Sequence, residues 1–297
     1  MTAGARPVDR YPTRTADRPA LIERTDPTVW GAGRPGPFTA AELAAHERDG
    51  FVTVPGLLTP DEVGVLTAEL ERLTTDPALR DDERTVRERS GDRVRSVFEV
   101  HALSGAIAAL VADERLAGRA RQVLGSDVHV HQSRINGKPG FGGAGFSWHS
   151  DFETWHAEDG MPAPRALSVS IALTANSEVN GSLMIMPGSH RTFVACVGET
   201  PADHYRESLR AQEIGTPDPG SLTTLAERHG IALLTGPAGS AVFFDSNCMH
   251  GSAENITPWP RSNLFVVFNS VENALVAPFA APAPRPSHVA ARTVRPV

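Results

Sequence analysis

The sequence predicts a mainly β fold, a barrel or sandwich with helices placed ahead of it. Three observations predict this. Up to Gly125 the chain carries helix caps and helically spaced apolar residues, and beyond it the segments turn short, β-rich and separated by Gly, Pro, Asn and Ser. The length of 297 residues suits one barrel with appended helices. At 40% apolar and 21% charged residues the chain is not disordered overall, and no run of 18 apolar residues spans a membrane.

Residues 1–37 are Pro- and Arg-rich and read as an irregular arm. Thr39 and Glu42 form a capping-box signature and Gly50 a stop, which predicts a helix over 40–49. A short strand follows at 51–54. Thr59, Pro60 and Glu62 supply N-cap, N1 and N3 of a second helix running to about Thr74. The charge-dense stretch 76–95 reads as a solvated loop. The stretch 104–124 reads as helix, broken near Asp113 and ended by Gly125.

Strands are predicted at 127–136, 167–174, 182–187, 192–197, 231–235, 240–245 and 262–270, with a helix over 221–229 capped by Ser221. Strict alternation along 127–136 puts Val128, Val130, Gln132, Arg134 and Asn136 on one face and His129, His131 and Ser133 on the other. In 167–174 the residues Leu167, Val169, Ile171 and Leu173 form an apolar face. Ser168, Ser170, Ala172 and Thr174 form a small, mostly polar one, which fits either the lining of a wet cavity or plain solvent exposure. The segment from Val276 is Ala/Pro-rich and reads as disordered or draped on the surface.

Charge and cysteine usage narrow the function classes. A net charge of −7 argues against phosphate-backbone binding, so no nucleic-acid partner is expected. Cys196 and Cys248 are too few to staple a chain of this size, and no secretory leader is evident, so a cytoplasmic protein is expected. Of 28 basic residues, 27 are arginine; the sole lysine is Lys138.

Gly140–Gly145 matches GxGxxG after a strand, but no helix period follows and no acid stands about 20 residues on, so it reads as a flexible loop rather than a dinucleotide site. Neither HExxH nor CxxC occurs. His149-Ser150-Asp151 is an HxD triplet, in which i and i+2 of an extended segment project to one side. With 11 His and 16 Asp, roughly 0.6 such triplets arise by chance, so the triplet needs context. His156-Ala157-Glu158 and His129-Val130-His131 are further chelating candidates. His250 follows an apolar strand and lies 99 residues beyond Asp151, Ser252 stands two residues on, and Arg261 comes eleven residues after His250. Two His and one carboxylate suit non-haem Fe(II), and a guanidinium clamps a dicarboxylate. This order is that expected of 2-oxoglutarate-dependent oxygenases.

The stretch QSRINGKPGFGGAGFSWHSDFETWHAEDGMP (132–162) resembles the ectoine hydroxylases, within the phytanoyl-CoA-hydroxylase-like branch of the Fe(II)/2-oxoglutarate dioxygenases. MPGSHRTF (186–193), CVGETP (196–201), MHGSAENITPWPR (249–261) and the DRYPTR opening are similar to that family too, and the likeness covers roughly 9–275. The resemblance implies a fold that is mainly β with flanking α, with a double-stranded β-helix (jelly-roll, cupin-like) core and N-terminal helices. It makes the chain a single oxygenase domain, with the arm over 1–37, helices and core over 38–275 and the tail over 276–297. It implies iron on His149, Asp151 and His250. It implies 2-oxoglutarate on Arg261, Phe146, Asn136, Arg134 and Ser252, and substrate on Gln132, Trp155 and Phe268. A cytoplasmic homodimer is expected, with O2 as co-reactant and ectoine, converted to 5-hydroxyectoine, as the small-molecule substrate. Arg134 stands where the family pattern has lysine, and Gly137 replaces a bulkier residue. A sibling oxygenase acting on another small zwitterion such as proline, a non-catalytic metal-binding barrel and a zinc hydrolase are the alternatives. A halogenase is disfavoured because Asp151 fills the position that chloride needs.

Overall fold

The computed structural model describes residues 8–88, 92–210 and 212–297. The start of the arm, part of the charged stretch 76–95 and residue 211 lie outside the described residues. The strands are β1 (Ala20–Glu23), β2 (Phe51–Val54), β3 (Thr85–Arg87), β4 (Val94–Phe98), β5 (Val128–Lys138), β6 (Phe146–His149) and β7 (Ala166–Ala172), then β8 (Leu183–Ile185), β9 (Thr192–Ala195), β10 (Ala232–Leu234), β11 (Ala241–Asp245), β12 (His250–Ser252) and β13 (Arg261–Ser270). A seven-stranded sheet runs β2-β11-β7-β13-β5-β4-β3, a four-stranded sheet runs β10-β8-β12-β6, and β1 pairs with β9. The ladders are antiparallel. This is the jelly-roll arrangement that the resemblance implies.

Helices cover the outer face of the large sheet. Helix α1 (Ala40–Asp49) opens with the Thr39/Glu42 capping box and closes at Gly50, whose φ of +82° is the left-handed conformation that glycine adopts without strain. Helix α2 (Pro60–Thr75) opens with the Thr59/Glu62 box. The predicted 104–124 helix is α4 (Gly105–Ala112), a π-turn (Glu114–Gly118) and α5 (Arg119–Leu124), preceded by the short α3 (Val100–Leu103). Asp113 makes the break, because its carboxylate accepts from Arg115 N and restarts the chain. Leu66, Leu73, Ile107, Val111, Val123 and Leu124 pack on Leu167, Val169, Ile171, Leu264, Val266 and Phe268 in one apolar core.

The other face of the large sheet meets the four-stranded sheet. Phe244 of β11 packs there with Leu183, Ile185, Leu234 and Cys248. The small polar face of β7 looks into this interlayer space, where Ser168 and Ser170 hydrogen-bond Asp151 and Asn263.

Three expectations need correction. The 76–95 stretch is not a plain loop: β3 and β4 extend the large sheet, burying Val86, Val97 and Phe98 while their arginines pair with acids at the rim. The alternation along β5 breaks at a bulge. Val267 pairs with Gln132 and Phe268 with Val130, so His131 is an extra residue without a cross-strand partner. Val128 and Val130 therefore share the core face with Ile135, whereas Gln132, Arg134 and Asn136 turn inward. The helix α8 (Pro219–His229), numbered after α6 (Asp151–Thr154) and α7 (Tyr205–Ser208), is capped by Asp218 rather than Ser221. The 276–297 segment is draped on the body and buries Val289 and Ala290 fully.

The arm is also built in. Tyr11 is 1% exposed and packs edge-on against Phe152 at 5.2 Å. Arg14 adopts φ +57°, rare for a residue with a Cβ. Its buried guanidinium holds both Glu153 oxygens at 2.7 and 2.9 Å and Glu158 at 2.7 Å. From the other side Arg285 forks onto Asp159 at 2.6 and 2.8 Å. Arm and tail thus grip the same turn from opposite directions.

Candidate active site

β6 and β12 are neighbours, and their register sets His149 directly opposite His250. The ring centroids are 4.2 Å apart. Ser150 caps the next turn, α6, which delivers Asp151 from its first position. Asp151 Oδ1 lies 3.7 Å from His149 Nε2 and 4.0 Å from His250 Nε2. One donor atom from each of the three falls within 4.8 Å of the others.

Backbone geometry fixes the tautomers. His149 Nδ1 lies 2.7 Å from Ser147 O and His250 Nδ1 3.0 Å from Cys248 O. A carbonyl only accepts, so both Nδ1 atoms carry the proton and both Nε2 lone pairs face Asp151. Burial, then the neighbouring His149, pushes His250 down to about 4, which keeps it neutral. Burial alone would raise the Asp151 carboxyl, but His250 and His149 hold it well below the usual carboxylate range. Ser168 Oγ donates to the other oxygen of Asp151 at 3.1 Å. Two imidazoles and one carboxylate on one facet, each fixed from behind, fit Fe(II) with positions left open.

Beside the triad lies a narrow pocket lined by Arg134, Asn136, Phe146, Ser252, Arg261 and Phe265. Arg261 is 3% exposed, and its Nε and Nη1 have no partner among the described residues. Burial, with Arg95 nearby, pushes it down to about 10. A buried, unpaired guanidinium calls for an anion, and a dicarboxylate spanning from the triad to Arg261 answers that need. The structure thus brings together all five residues expected around 2-oxoglutarate.

A second pocket, which shares Arg134, Asn136, Phe146 and His149 with the first, also holds Gln132, Thr154, Trp155, Arg285, Leu209 and Gln212. Trp155 is buried and meets His131 edge-on at 4.9 Å. Gln132 Nε2 donates to Val289 O at 2.6 Å, and its Oε1 accepts from Arg134. Phe268, expected at the substrate, is not here. It is fully buried in the core against the helices, because it falls on the outer phase of β13, opposite Leu167 and Val130. The aromatic of that strand that faces the site is Phe265, opposite Arg134, whose guanidinium lies 5.0 Å from the ring centroid.

His156 and Glu158, the alternative chelating pair, are used otherwise: His156 stacks on Phe279 at 3.9 Å and bonds Met161 O, and Glu158 pairs with Arg14. His131 packs edge-on against Trp155, and among the described residues neither it nor His129 joins the triad. Sequence reasoning missed Ser168, Phe265 and Arg285 as site residues. The polar face of β7 pointed toward Ser168. Nothing in the Ala/Pro context pointed to Arg285.

A jelly roll that carries two histidines on facing strands and an aspartate in the turn that follows one of them, beside a buried arginine awaiting a dicarboxylate, defines a non-haem iron, 2-oxoglutarate-dependent dioxygenase. The chain belongs to the phytanoyl-CoA dioxygenase (PhyH) family, whose pattern matches residues 46–263. It is 64% identical to an ectoine dioxygenase of Nocardia farcinica over 98% of this chain and 96% of that one. It superposes on the crystal structure of EctD from S. alaskensis with 2-oxoglutarate and 5-hydroxyectoine with a TM-score of 0.87, at 45% identity over 96% of this chain and 95% of that one. The same enzyme with bound Fe gives a TM-score of 0.86 at 44% identity, over 96% and 95%. The described residues contain no helix long and apolar enough to cross a membrane.

Proposed function

We propose that this chain hydroxylates ectoine to 5-hydroxyectoine, consuming O2 and 2-oxoglutarate and releasing succinate and CO2. The observation that carries this reading is the 64% identity to an ectoine dioxygenase over 98% of the chain. His149, Asp151 and His250 hold the iron. Bound there, iron couples oxidative decarboxylation of 2-oxoglutarate to oxygen insertion into a substrate C–H bond.

The residues of the chain bind, orient and exclude water. The Nδ1 hydrogen bonds of His149 and His250 aim both imidazoles and leave each Nε2 for the iron. Arg261 holds the distal carboxylate of 2-oxoglutarate in the pocket that it shares with Phe146, Ser252, Asn136 and Arg134. Ectoine is a cyclic amidine bearing a carboxylate. Its amidinium suits the Trp155 face, an attraction of about 1–2 kcal/mol when desolvated. Its carboxylate suits the positive end of that pocket, where Arg285 and Gln132 stand. Phe265 takes the aromatic role that the resemblance gave to Phe268. The same reading carries a cytoplasmic homodimer.

Anaerobic reconstitution with Fe(II) and 2-oxoglutarate, followed by O2, tests it. Ectoine accelerates succinate formation, and 5-hydroxyectoine appears in equal amount by NMR. If proline or another zwitterion accelerates turnover and ectoine does not, the substrate assignment is wrong.

A further inference from the structure

β6 and β12 pair in register, so their ladder sets His149 against His250. Asp151 lies beyond the end of β6, in α6, and the ladder does not reach it. What holds it in line with the histidines is the contact between two turns. One runs through Ser150 into α6. The other leaves β11 at Asp245 and returns as β12 at His250.

The second turn is closed on itself. Asp245 O accepts from Cys248 N at 3.0 Å, and Asp245 Oδ1 accepts from Asn247 N at 2.8 Å. Arg24, one residue past β1, fixes that carboxylate, its Nη1 lying 2.8 Å from each oxygen.

Asn247, 2% exposed, spans both turns. Its Nδ2 donates to His190 O at 2.8 Å and to Thr192 O at 3.2 Å. A carbonyl only accepts, so the amide nitrogen is pinned there. Oδ1 faces the other way and accepts from Ser150 Oγ at 3.0 Å. Ser246 O is the more distant acceptor for that hydroxyl, at 3.4 Å. Ser150 Oγ in turn accepts from Glu153 N as the cap of α6, and Phe152 N donates to Ser246 O at 2.9 Å. The residues before and after Asp151 are thus both tied to the second turn, one by a side-chain bond and one by a backbone bond.

We propose that Asn247 is a positioning residue for the iron: by holding the Ser150 cap against the 245–248 turn, it keeps the Asp151 carboxylate within reach of the ion that His149 and His250 ligate. This rests on the reading of the triad as the iron site. Ser168 touches the carboxylate directly, whereas Asn247 acts on the backbone that carries it. Removing a group that orients a metal ligand from behind weakens metal binding about 10–100-fold.

A double-mutant cycle on Asn247→Ala and Ser150→Ala tests this. Fe(II) is titrated into each metal-free protein by calorimetry without O2, and Tm is measured with and without Fe(II). Each single variant raises the Kd for Fe(II) about tenfold, and the double variant binds no more weakly than the weaker single one. The rise in Tm on adding Fe(II) shrinks in step. Additive single effects overturn the proposal. So does an Asn247→Ala protein whose metal-free form melts earlier while its Kd for Fe(II) is unchanged, because the amide then serves stability alone. Should Asn247→Ala fail to fold, a Ser150→Ala protein with unchanged Kd overturns it. If the unmodified protein binds no Fe(II), the reading of the triad fails instead.

Discussion

Truncating two phenylalanines three residues apart on one strand separates core from site. Phe268 is fully buried among Leu167, Val130 and the helices, whereas Phe265 is 7% exposed and borders the triad. Phe268→Ala removes a fully packed ring and costs about 3–5 kcal/mol. Unfolding entropy of about 2.1 cal/mol/K per residue gives roughly 0.6 kcal/mol/K for 297 residues, so Tm falls by roughly 5–8 °C. The folded fraction keeps its KM for ectoine and for 2-oxoglutarate. Phe265→Ala does the reverse: its ring stacks with Arg134 at the pocket wall, so KM for ectoine rises at least threefold with a smaller loss of Tm. Differential scanning fluorimetry paired with steady-state turnover measures both. A Phe268→Ala protein that melts normally but loses ectoine affinity would refute the phase assigned to β13.

Three further outcomes are expected. Asp151→Ala removes the only carboxylate of the triad, and the purified protein no longer retains iron after dialysis, as measured by metal analysis. Arg14→Ala strands two buried carboxylates, Glu153 and Glu158, at a cost of about 3–5 kcal/mol, seen as a Tm loss of roughly 5–8 °C by calorimetry. Affinity for 2-oxoglutarate is flat below pH 7 and falls above it. Burial, then Arg261 and Arg95, push Lys138 down to about 7 against the opposing pull of Glu88 and Glu254, and a bound carboxylate raises it again, so binding takes up a proton. Binding isotherms from pH 6 to 9 check the slope, which Lys138→Met abolishes.

The chemistry of this chain is written locally, and its closure is not. His149 and Asp151 are legible because a two-residue spacing at a strand end forces two ligands to one side. Ser168 and Ser170 are legible as a polar stripe on an otherwise apolar strand. The capping boxes at Thr39 and Thr59 are legible because each is a complete hydrogen-bonding unit within four residues. Arg14 gave no such signal, since its partners Glu153 and Glu158 lie about 140 residues away and its burial depends on them. The same holds for Arg285 and Asp159. Charge density made 76–95 look solvated because its buried apolar position Val86 is interleaved with arginines that fold back onto acids. A bulge leaves no mark in a pattern read by twos, and it misled the assignment of faces along β5.

That bulge sets which kind of sequence change the enzyme tolerates. On its outer stretch β5 feeds Val128 and Val130 to the helices, and past His131 the same strand feeds Gln132, Arg134 and Asn136 to the pockets. Most single substitutions there alter one contact. Deleting His131 restores a regular pleat and leaves every later side chain on its present face, whereas deleting Ser133 past the bulge drives Arg134 into hydrocarbon and Ile135 into the pocket. In a library of variants, length changes across 133–136 should be purged far more completely than replacements, while loss of His131 is tolerated better. The strand is thus a frame to be counted as well as a surface to be filled.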